Sequence, residues 1–246
     1  MDLDSRVQLS YYEKVSEINE EHHISLVRHI KTGKIYVRKD LSVYNEQVYQ
    51  ELIKHPVKGI PRVYCAYEEN QTLTIIEDYI AGETLDDMLN DGHTFSEMEV
   101  INIGIELSEL LWKLHTQKPA VIHRDMKPSN VIIAPDGHPF ILDLNASRIS
   151  IPKTEDTDLI GTKGYAAPEQ YGFGSSDQRT DIYALGMLMN ALLCGHFSQE
   201  ISVRASKRFR RILRICTKID PYKRFKNMDI LNEELTYLKE HYFLVV

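Results

Sequence analysis

The sequence lacks the features that mark disulfide-rich, membrane-spanning and nucleic-acid-binding proteins. Its three cysteines are odd in number and form no C-x-x-C pair, which argues against a disulfide framework or a zinc site. Its formal net charge is -7, so no overall basic field attracts nucleic acid or an anionic membrane. The most apolar run, residues 182–194, is too short to span a bilayer. These absences favour a cytoplasmic protein without a membrane segment or a nucleic-acid partner.

The length and the hydrophobic pattern predict an α+β protein. A chain of 246 residues with 43% hydrophobic residues can bury a core as one large domain or two unequal lobes. Alternating and β-branched stretches predict strands at 12–18, 23–29, 34–39, 62–67 and 73–77. A helix is predicted at 42–54, and a capping box at Ser96 opens a long helix in a mainly helical remainder. We therefore predict a small antiparallel sheet with one helix over 1–80 and a mainly helical part over 81–246.

Residues 123–130, HRDMKPSN, concentrate charge between two apolar runs, where a solvated turn would need only polarity. In this segment Asp125 could accept a proton from a hydroxyl, and Lys127 could neutralise charge on a group in transfer. A second carboxylate, Asp143, follows the apolar pair Ile141-Leu142. Because Mg²⁺ takes few protein ligands and prefers oxygen, Asn130 and Asp143 suit this cation.

The spacing of these segments resembles that of eukaryotic-type (Hanks-type) protein kinases and is most similar to that of compact bacterial serine/threonine kinases. The resemblance extends over roughly residues 10–240 and includes YVRK at 36–39, GYAAPE at 164–169 and DIYALG at 181–186. It implies a bilobal protein-kinase-like fold that uses ATP and Mg²⁺. It also implies transfer of the γ-phosphate to a Ser or Thr hydroxyl of a protein substrate.

The resemblance implies a role for individual residues of this chain. It assigns Lys39 to the α- and β-phosphates and Glu46 to the helix position that pairs with this lysine. Asp125 becomes the catalytic base, and Asn130 and Asp143 the metal ligands. Lys127 and Thr162 indicate Ser/Thr specificity, and Arg224 is the expected ion-pair partner of Glu169. The implied nucleotide site also contains Ile24, Val37, Ile132 and the backbone of Asp78 and Ile80, with Glu77 at the rear of the adenine pocket.

The phosphate-binding loop departs from the family pattern. Counting back from Lys39 places that loop on residues 17–24, EINEEHHI, which contain no glycine and three glutamates. Side chains keep the backbone away from the phosphates, and like charge opposes their binding. We therefore expect weaker ATP binding than in glycine-loop kinases. Replacement of Glu17, Asn19 and His22 by glycine is expected to tighten it, which calorimetry measures.

The segment between Asp143 and Glu169 predicts regulation by phosphorylation. In the kinases that this chain resembles, the positions of Arg124 and Arg148 gather on a phosphorylated loop residue, here Thr154 or Thr157. The alternative is that the neighbouring acidic residues already satisfy the arginines and make the enzyme constitutively active. Mass spectrometry after incubation with Mg²⁺ and ATP distinguishes the two, because full activity without modified threonines excludes the phosphorylation hypothesis.

Other functions compete with that of an active protein kinase. The glycine-free loop favours a pseudokinase or nucleotide-sensing scaffold, whereas retention of Lys39, Asp125, Asn130 and Asp143 favours catalysis. A small-molecule phosphotransferase is disfavoured because such enzymes lack the segment around Glu169. The basic run 204–214 is interpreted as a solvated helix face packed through its apolar residues, in preference to a docking site for an acidic partner. The sequence names neither the substrate nor the oligomeric state.

Overall fold

The computed structural model describes residues 7–150, 161–172 and 175–242, and its N-terminal part is built on one antiparallel sheet. The strands are β1 (Tyr12–Asn19), β2 (Ile24–His29), β3 (Ile35–Leu41), β4 (Val63–Glu69) and β5 (Thr72–Asp78). They are paired in the order β1-β2-β3-β5-β4. The turn between β2 and β3 contains Gly33 at a φ of 70°, a conformation that glycine adopts without strain. All five predicted strands are confirmed.

One helix, α1 (Glu46–Lys54), packs beside β4. It begins four residues later than the sequence predicted, because the Asn45 side chain accepts a hydrogen bond from the Gln47 N–H and caps the helix there. Val48 and Leu52 are buried on the face towards the sheet. The helix therefore closes one side of the sheet and orients its first turn towards solvent.

Beyond residue 80 the chain is mainly helical, as predicted. The helices are α2 (Leu85–Asn90), α3 (Glu97–His115), α4 (Gln178–Cys194), α5 (Lys207–Cys216) and α6 (Met228–Glu240). The capping box at α3 is present, because Ser96 accepts from the Glu99 N–H at 3.3 Å and Glu99 accepts from the Ser96 N–H at 2.8 Å. Helix α3 packs against α4 and α6, and the buried residues of these helices form the main hydrophobic core. The α+β architecture is confirmed.

Five short strands bring together segments that are distant in the sequence. They are β6 (Glu83–Thr84), β7 (Val121–Ile122), β8 (Val131–Ile133), β9 (Pro139–Ile141) and β10 (Arg148–Ile149). β8 and β9 form a hairpin in which Val131 opposes Ile141, and β7 pairs with β10 so that Ile122 opposes Arg148. The HRDMKPSN loop leads from β7 to β8, and the turn around Asp143 leads from β9 to β10. The pairing therefore places the two segments side by side.

Helix α5 carries the basic run, and its apolar face is packed as predicted. Phe209, Ile212 and Leu213 are buried in the main core. Just before the helix, the Arg204 guanidinium donates to the backbone carbonyls of Leu193 (2.8 Å) and Phe95 (3.1 Å), which is a structural role. Docking of an acidic partner on the exposed face was the disfavoured interpretation, and these contacts do not test it. Among the described residues, no helix is both long enough and apolar enough to cross a membrane.

Candidate active site

Asp125 is the centre of a hydrogen-bonded cluster between β7 and β8. Its Oδ1 atom accepts from the backbone N–H (3.0 Å) and the hydroxyl (2.7 Å) of Thr162. Its Oδ2 atom lies 2.9 Å from Lys127 Nζ and accepts from Asn130 Nδ2 at 3.1 Å. Lys127 Nζ also donates to the Thr162 hydroxyl at 2.7 Å. The structure therefore brings four of the predicted site residues together around one carboxylate.

The loop that carries Asp125 is anchored from α4 by the fully buried carboxylate of Asp181. Asp181 accepts from the backbone N–H groups of His123 (2.9 Å) and Arg124 (2.7 Å) and hydrogen-bonds His115 Nε2 at 2.8 Å. Burial by itself raises the pKa of Asp181, but the hydrogen bond from His115 and the other partners outweigh burial and hold it below its usual value. The ionised carboxylate holds Arg124 at its positive φ of 71°, a conformation that needs such support.

Asn130 and Asp143 are the predicted Mg²⁺ ligands, and both carry side-chain oxygens that could hold this cation. The Asn130 amide nitrogen donates to the backbone carbonyl (2.8 Å) and carboxylate of Asp125, so its nitrogen is engaged and its oxygen is the atom left for a cation. The Leu142 N–H donates to the Asn130 carbonyl at 2.9 Å, which places Asp143 next to this residue. Among the described residues no group of three or more His, Cys, Asp and Glu is placed to hold a metal ion. The set of one amide and one carboxylate therefore fits Mg²⁺ better than a metal that requires several side-chain ligands.

Lys39, on β3, is buried, and its ion-pair partner differs from the predicted one. Its Nζ atom lies 2.7 Å from Glu77 Oε1, and both side chains are under a tenth exposed. Burial by itself lowers the pKa of the Lys39 ammonium, but the Glu77 carboxylate and then Asp143 more than offset burial and raise it. Lys39 is therefore a charged, rigidly held cation close to the Asp143 carboxylate.

The predicted pair of Lys39 with Glu46 is wrong for this structure. Glu46 is the exposed first residue of α1 and accepts a hydrogen bond from Gln50 at 3.4 Å. The buried helix residue that faces the site is instead Tyr49, whose hydroxyl donates to Asn145 Oδ1 at 2.7 Å. Burial, with Asp143 nearby, raises the pKa of the Tyr49 phenol, so it acts as a neutral donor. Glu77 is the carboxylate paired with Lys39 in place of Glu46, and the buried face of α1 is formed by Val48, Tyr49 and Leu52, so Glu46 remains exposed.

The remaining residues that the resemblance implies for a nucleotide site lie on β2, β3 and β8. Ile24 opposes Lys39 across β2 and β3, and Val37 lies two residues before Lys39 and therefore on the same face. Ile132, on β8, is partly buried. Ile24 and Val37 therefore share a face of the sheet with Lys39, and their contact with a nucleotide stays a prediction.

At the end of β5 the side chain and the backbone N–H of Asp78 both make hydrogen bonds. The Asp78 carboxylate accepts from Lys34 Nζ (2.8 Å) and from the Tyr64 hydroxyl (3.1 Å), so its side chain is engaged away from the cleft. The Asp78 N–H donates to the Arg62 carbonyl at 3.0 Å. Of the two backbone groups of Asp78, the carbonyl is therefore the one suited to the predicted adenine contact, and Ile80 follows in the same segment.

Comparison with known proteins decides the family. Residues 12–240 match the family model described as the protein kinase domain. The chain belongs to the protein kinase family. The predicted resemblance to eukaryotic-type kinases and the predicted bilobal α+β kinase fold are thereby confirmed.

Three relatives of this chain are named as protein kinases, two of them as serine/threonine-protein kinases. The mitogen-activated protein kinase kinase SIPKK of Nicotiana tabacum is 30% identical over 206 residues, which cover 79% of this chain and 57% of that protein. The serine/threonine-protein kinase PknA of Nostoc sp. is 32% identical over 150 residues, 58% of this chain and 26% of that protein. The serine/threonine-protein kinase 1 of Heliothis zea nuclear polyhedrosis virus is 30% identical over 174 residues, 70% of this chain and 63% of that protein. The matched region is thus less than two thirds of each relative's length.

The segment that ends at Glu169 is fixed by a buried ion pair. The Arg224 guanidinium makes two hydrogen bonds of 2.7 Å to the two carboxylate oxygens of Glu169, as the sequence predicted. Arg224 also donates to three backbone carbonyls, those of Lys218, Ile219 and Arg179. This network holds the segment that ends at Glu169 against the helical part of the kinase.

The residues predicted to be regulatory are described only in part. Arg124 is buried beside Asp125, and Arg148 lies on β10 opposite Ile122. The β7–β10 pair therefore places both arginines on adjoining segments, and their convergence on a phosphorylated residue stays a prediction. Thr154 and Thr157 lie outside the described residues.

Sequence reasoning missed three contacts of this kinase site. It placed Glu77 at the rear of the adenine pocket but did not assign it to Lys39. It also missed the bond between Tyr49 and Asn145, and it treated Asp181 as part of a structural helix rather than as the anchor of the catalytic loop. Strand parity was a usable signal for Glu77, because two long side chains on one face of adjacent strands can meet. No comparable signal identifies Tyr49.

Proposed function

We propose that this chain is a serine/threonine protein kinase that transfers the γ-phosphate of ATP to a protein hydroxyl. The observation that carries the proposal is the cluster in which Lys127 and Thr162 both bind the Asp125 carboxylate. Asp125 accepts the proton of the attacking hydroxyl, and Lys127 stands beside it to neutralise charge on the transferred group. Lys39 orients the nucleotide phosphates. Asn130 and Asp143 would hold Mg²⁺, which would neutralise negative charge on the phosphates.

A protein substrate is favoured over a small molecule by the segment around Glu169. The buried pair with Arg224 holds this segment in place, and Thr162 connects it directly to Asp125. A peptide hydroxyl placed along the segment would therefore be next to the base. The relatives named as serine/threonine kinases support Ser and Thr as acceptors.

The test is Mg²⁺-dependent transfer of labelled phosphate from ATP to an unstructured protein rich in Ser and Thr, followed by identification of the phosphorylated residue. The Asp125→Asn variant is expected to lose about 10²–10⁴-fold in turnover, the usual contribution of general base catalysis. Asp229→Asn, on the exposed face of α6, is the matched control. Absence of transfer by the unaltered protein, or undiminished transfer by Asp125→Asn, would refute the assignment.

The β1–β2 turn supports a second candidate function, that of a nucleotide-sensing scaffold. Its residues 20–23 are exposed, and the Asn19 side chain accepts from the His22 N–H at 3.0 Å and so closes the turn without glycine. Glu17 is paired with Lys14 on β1. Glu20 and Glu21 are therefore the carboxylates that oppose nucleotide phosphates, and they weaken nucleotide binding under this proposal.

Removal of these two charges is expected to tighten Mg·ATP binding. The Glu20→Gln/Glu21→Gln variant keeps the Asn19 cap, unlike the glycine replacement considered above, and isolates the electrostatic contribution. We expect an affinity gain of roughly fivefold, corresponding to about 1 kcal/mol of relieved repulsion at a solvated site. Calorimetry measures it, with Glu233→Gln/Glu240→Gln on α6 as a control that makes the same change in net charge. Unchanged or weaker affinity in the turn variant contradicts this account of the loop.

A further inference from the structure

The sheet itself provides an anion for Lys39. In the antiparallel pair of β3 and β5, Val37 opposes Glu77 and Lys39 opposes Ile75. Lys39 and Glu77 are therefore diagonal neighbours on one face of the sheet, a separation that long side chains can bridge. The observed distance of 2.7 Å between Lys39 Nζ and Glu77 Oε1 closes that gap.

The surroundings of the pair make it rigid. The side chains of Lys39 and Glu77 are 8% and 5% exposed. β3 and β5 are hydrogen-bonded neighbours from Tyr36 opposite Asp78 to Leu41 opposite Leu73. A carboxylate on such a ladder keeps its distance from the lysine, whereas a carboxylate on a packed helix moves whenever the helix moves.

Helix α1 contacts the site through a different group. Tyr49 donates to Asn145, the second residue after Asp143, while Glu46 faces solvent. The helix is thus tied to the metal-binding turn and not to Lys39. A single helix carboxylate could both hold the lysine and connect the helix to the site. Here Glu77 holds the lysine and Tyr49 connects the helix to the site.

We propose that Glu77 is the positioning residue for Lys39 and replaces a helix-borne glutamate in this chain. The inference rests on the proposed kinase function, in which Lys39 orients the nucleotide phosphates. It follows that the orientation of the lysine is fixed by the sheet and does not depend on the position of α1. It also follows that Glu77 acts on nucleotide phosphates through Lys39, and not by direct contact.

The first experiment compares Glu77→Gln with Glu46→Gln. We expect Glu77→Gln to lower kcat/KM for Mg·ATP by at least about 30-fold, the lower end of the cost of removing one partner of a buried ion pair. Glu46→Gln is expected to change it less than about twofold, as for exposed charges. The matched control is Asp40→Asn, which removes a carboxylate paired with Arg38 on the opposite face of the same strand. Equal losses for Glu77→Gln and Glu46→Gln, or a large loss for Glu46→Gln alone, overturn the proposal.

A double-mutant cycle distinguishes positioning from a merely structural role. If Glu77 acts through Lys39, adding Glu77→Gln to Lys39→Met lowers Mg·ATP affinity and turnover by less than about threefold, because the shared contact is already gone. If Glu77 supports the fold or contacts adenine directly, the two losses multiply instead, and the proposal fails. Thermal unfolding of each variant verifies that it is folded.

The proposal can still be tested if Glu77→Gln does not fold or if the unaltered protein transfers no phosphate. If Glu77→Gln does not fold, Glu46→Gln and Glu46→Ala carry the test, since full activity of both supports the proposal and a loss above about 30-fold refutes it. If the unaltered protein transfers no phosphate, the kinase function fails, and the cycle is measured by calorimetry with Mg·ATP alone. Non-additive losses in affinity then still support the pairing of Glu77 with Lys39, and additive losses refute it.

Discussion

Replacing Asp143 with alanine is expected to abolish Mg²⁺-dependent phosphate transfer, with a loss of at least about 10³-fold in turnover. Asp143 is the one carboxylate of the two proposed Mg²⁺ ligands, and the neutral Asn130 amide cannot balance the charge of a divalent cation by itself. The substitution also removes a negative charge close to Lys39. Assays over a series of Mg²⁺ concentrations measure the effect, because a lost ligand raises the Mg²⁺ requirement as well as lowering the maximal rate.

The β8–β9 hairpin offers a closely matched control for this variant. Asp143 accepts a hydrogen bond from the Asn145 N–H at 3.0 Å, and Asp136, in the hairpin turn, accepts one from the His138 N–H at 3.1 Å. Asp136→Ala therefore removes the same charge and the same type of local bond at a distance from the proposed metal site. We expect it to leave turnover unchanged. Equal activity of the Asp143→Ala and Asp136→Ala variants would refute the assignment of Asp143 as a Mg²⁺ ligand and, with it, the proposed Mg²⁺-dependent transfer.

The second large effect concerns stability. Glu169→Gln is expected to lower the free energy of unfolding by about 3–5 kcal/mol, because it leaves the buried Arg224 guanidinium without its counter-charge. The guanidinium side chain has no exposed surface and the Glu169 side chain is 5% exposed, so water cannot replace the lost partner. Denaturation by urea, monitored by circular dichroism, measures the change.

An exposed ion pair in the same protein provides the comparison. Glu13 lies 3.7 Å from Arg28 on the β1–β2 hairpin, and both side chains are more than half exposed. We expect Glu13→Gln to change stability by less than about 1 kcal/mol, since solvent screens such pairs. If Glu169→Gln were no more destabilising than Glu13→Gln, the Glu169–Arg224 pair would not be what holds the segment that ends at Glu169.

Local sequence signals predicted most of the fold. The strands β1 to β5 follow from alternation and β-branched residues, and the start of α3 follows from the Ser96 capping box, because these signals depend on neighbours in the chain. The start of α1 was missed by four residues. There the helical spacing of apolar residues continues on the N-terminal side of the observed helix. The Asn45 side chain, which caps the helix, was not recognised as the signal that marks its start.

The order and spacing of motifs determined the central cluster of the site. Asp125, Lys127 and Asn130 lie on one short loop, so their proximity follows from the chain itself. Asp143 joins them because the intervening residues form a hairpin, and hairpins return the chain to its starting point. The bond from Leu142 to Asn130 is the direct result of this pairing. The sequence alone therefore indicated these residues and the chemistry that suits them.

Only the tertiary structure decided the partner of Lys39. Glu46 and Glu77 are both glutamates at positions from which the family pattern allows a contact with the nucleotide site. The choice depends on which of them is turned inward, and that is set by the rotation of α1 and by the register of β3 against β5. A shift of one residue in the β3–β5 pairing reverses which side chains face Lys39, whereas a shift of one residue in α1 rotates its side chains by about 100°. The free energy that fixes both comes from packing between segments far apart in the chain. The residue types were in the sequence, but their pairing was a property of the packed sheet and helix.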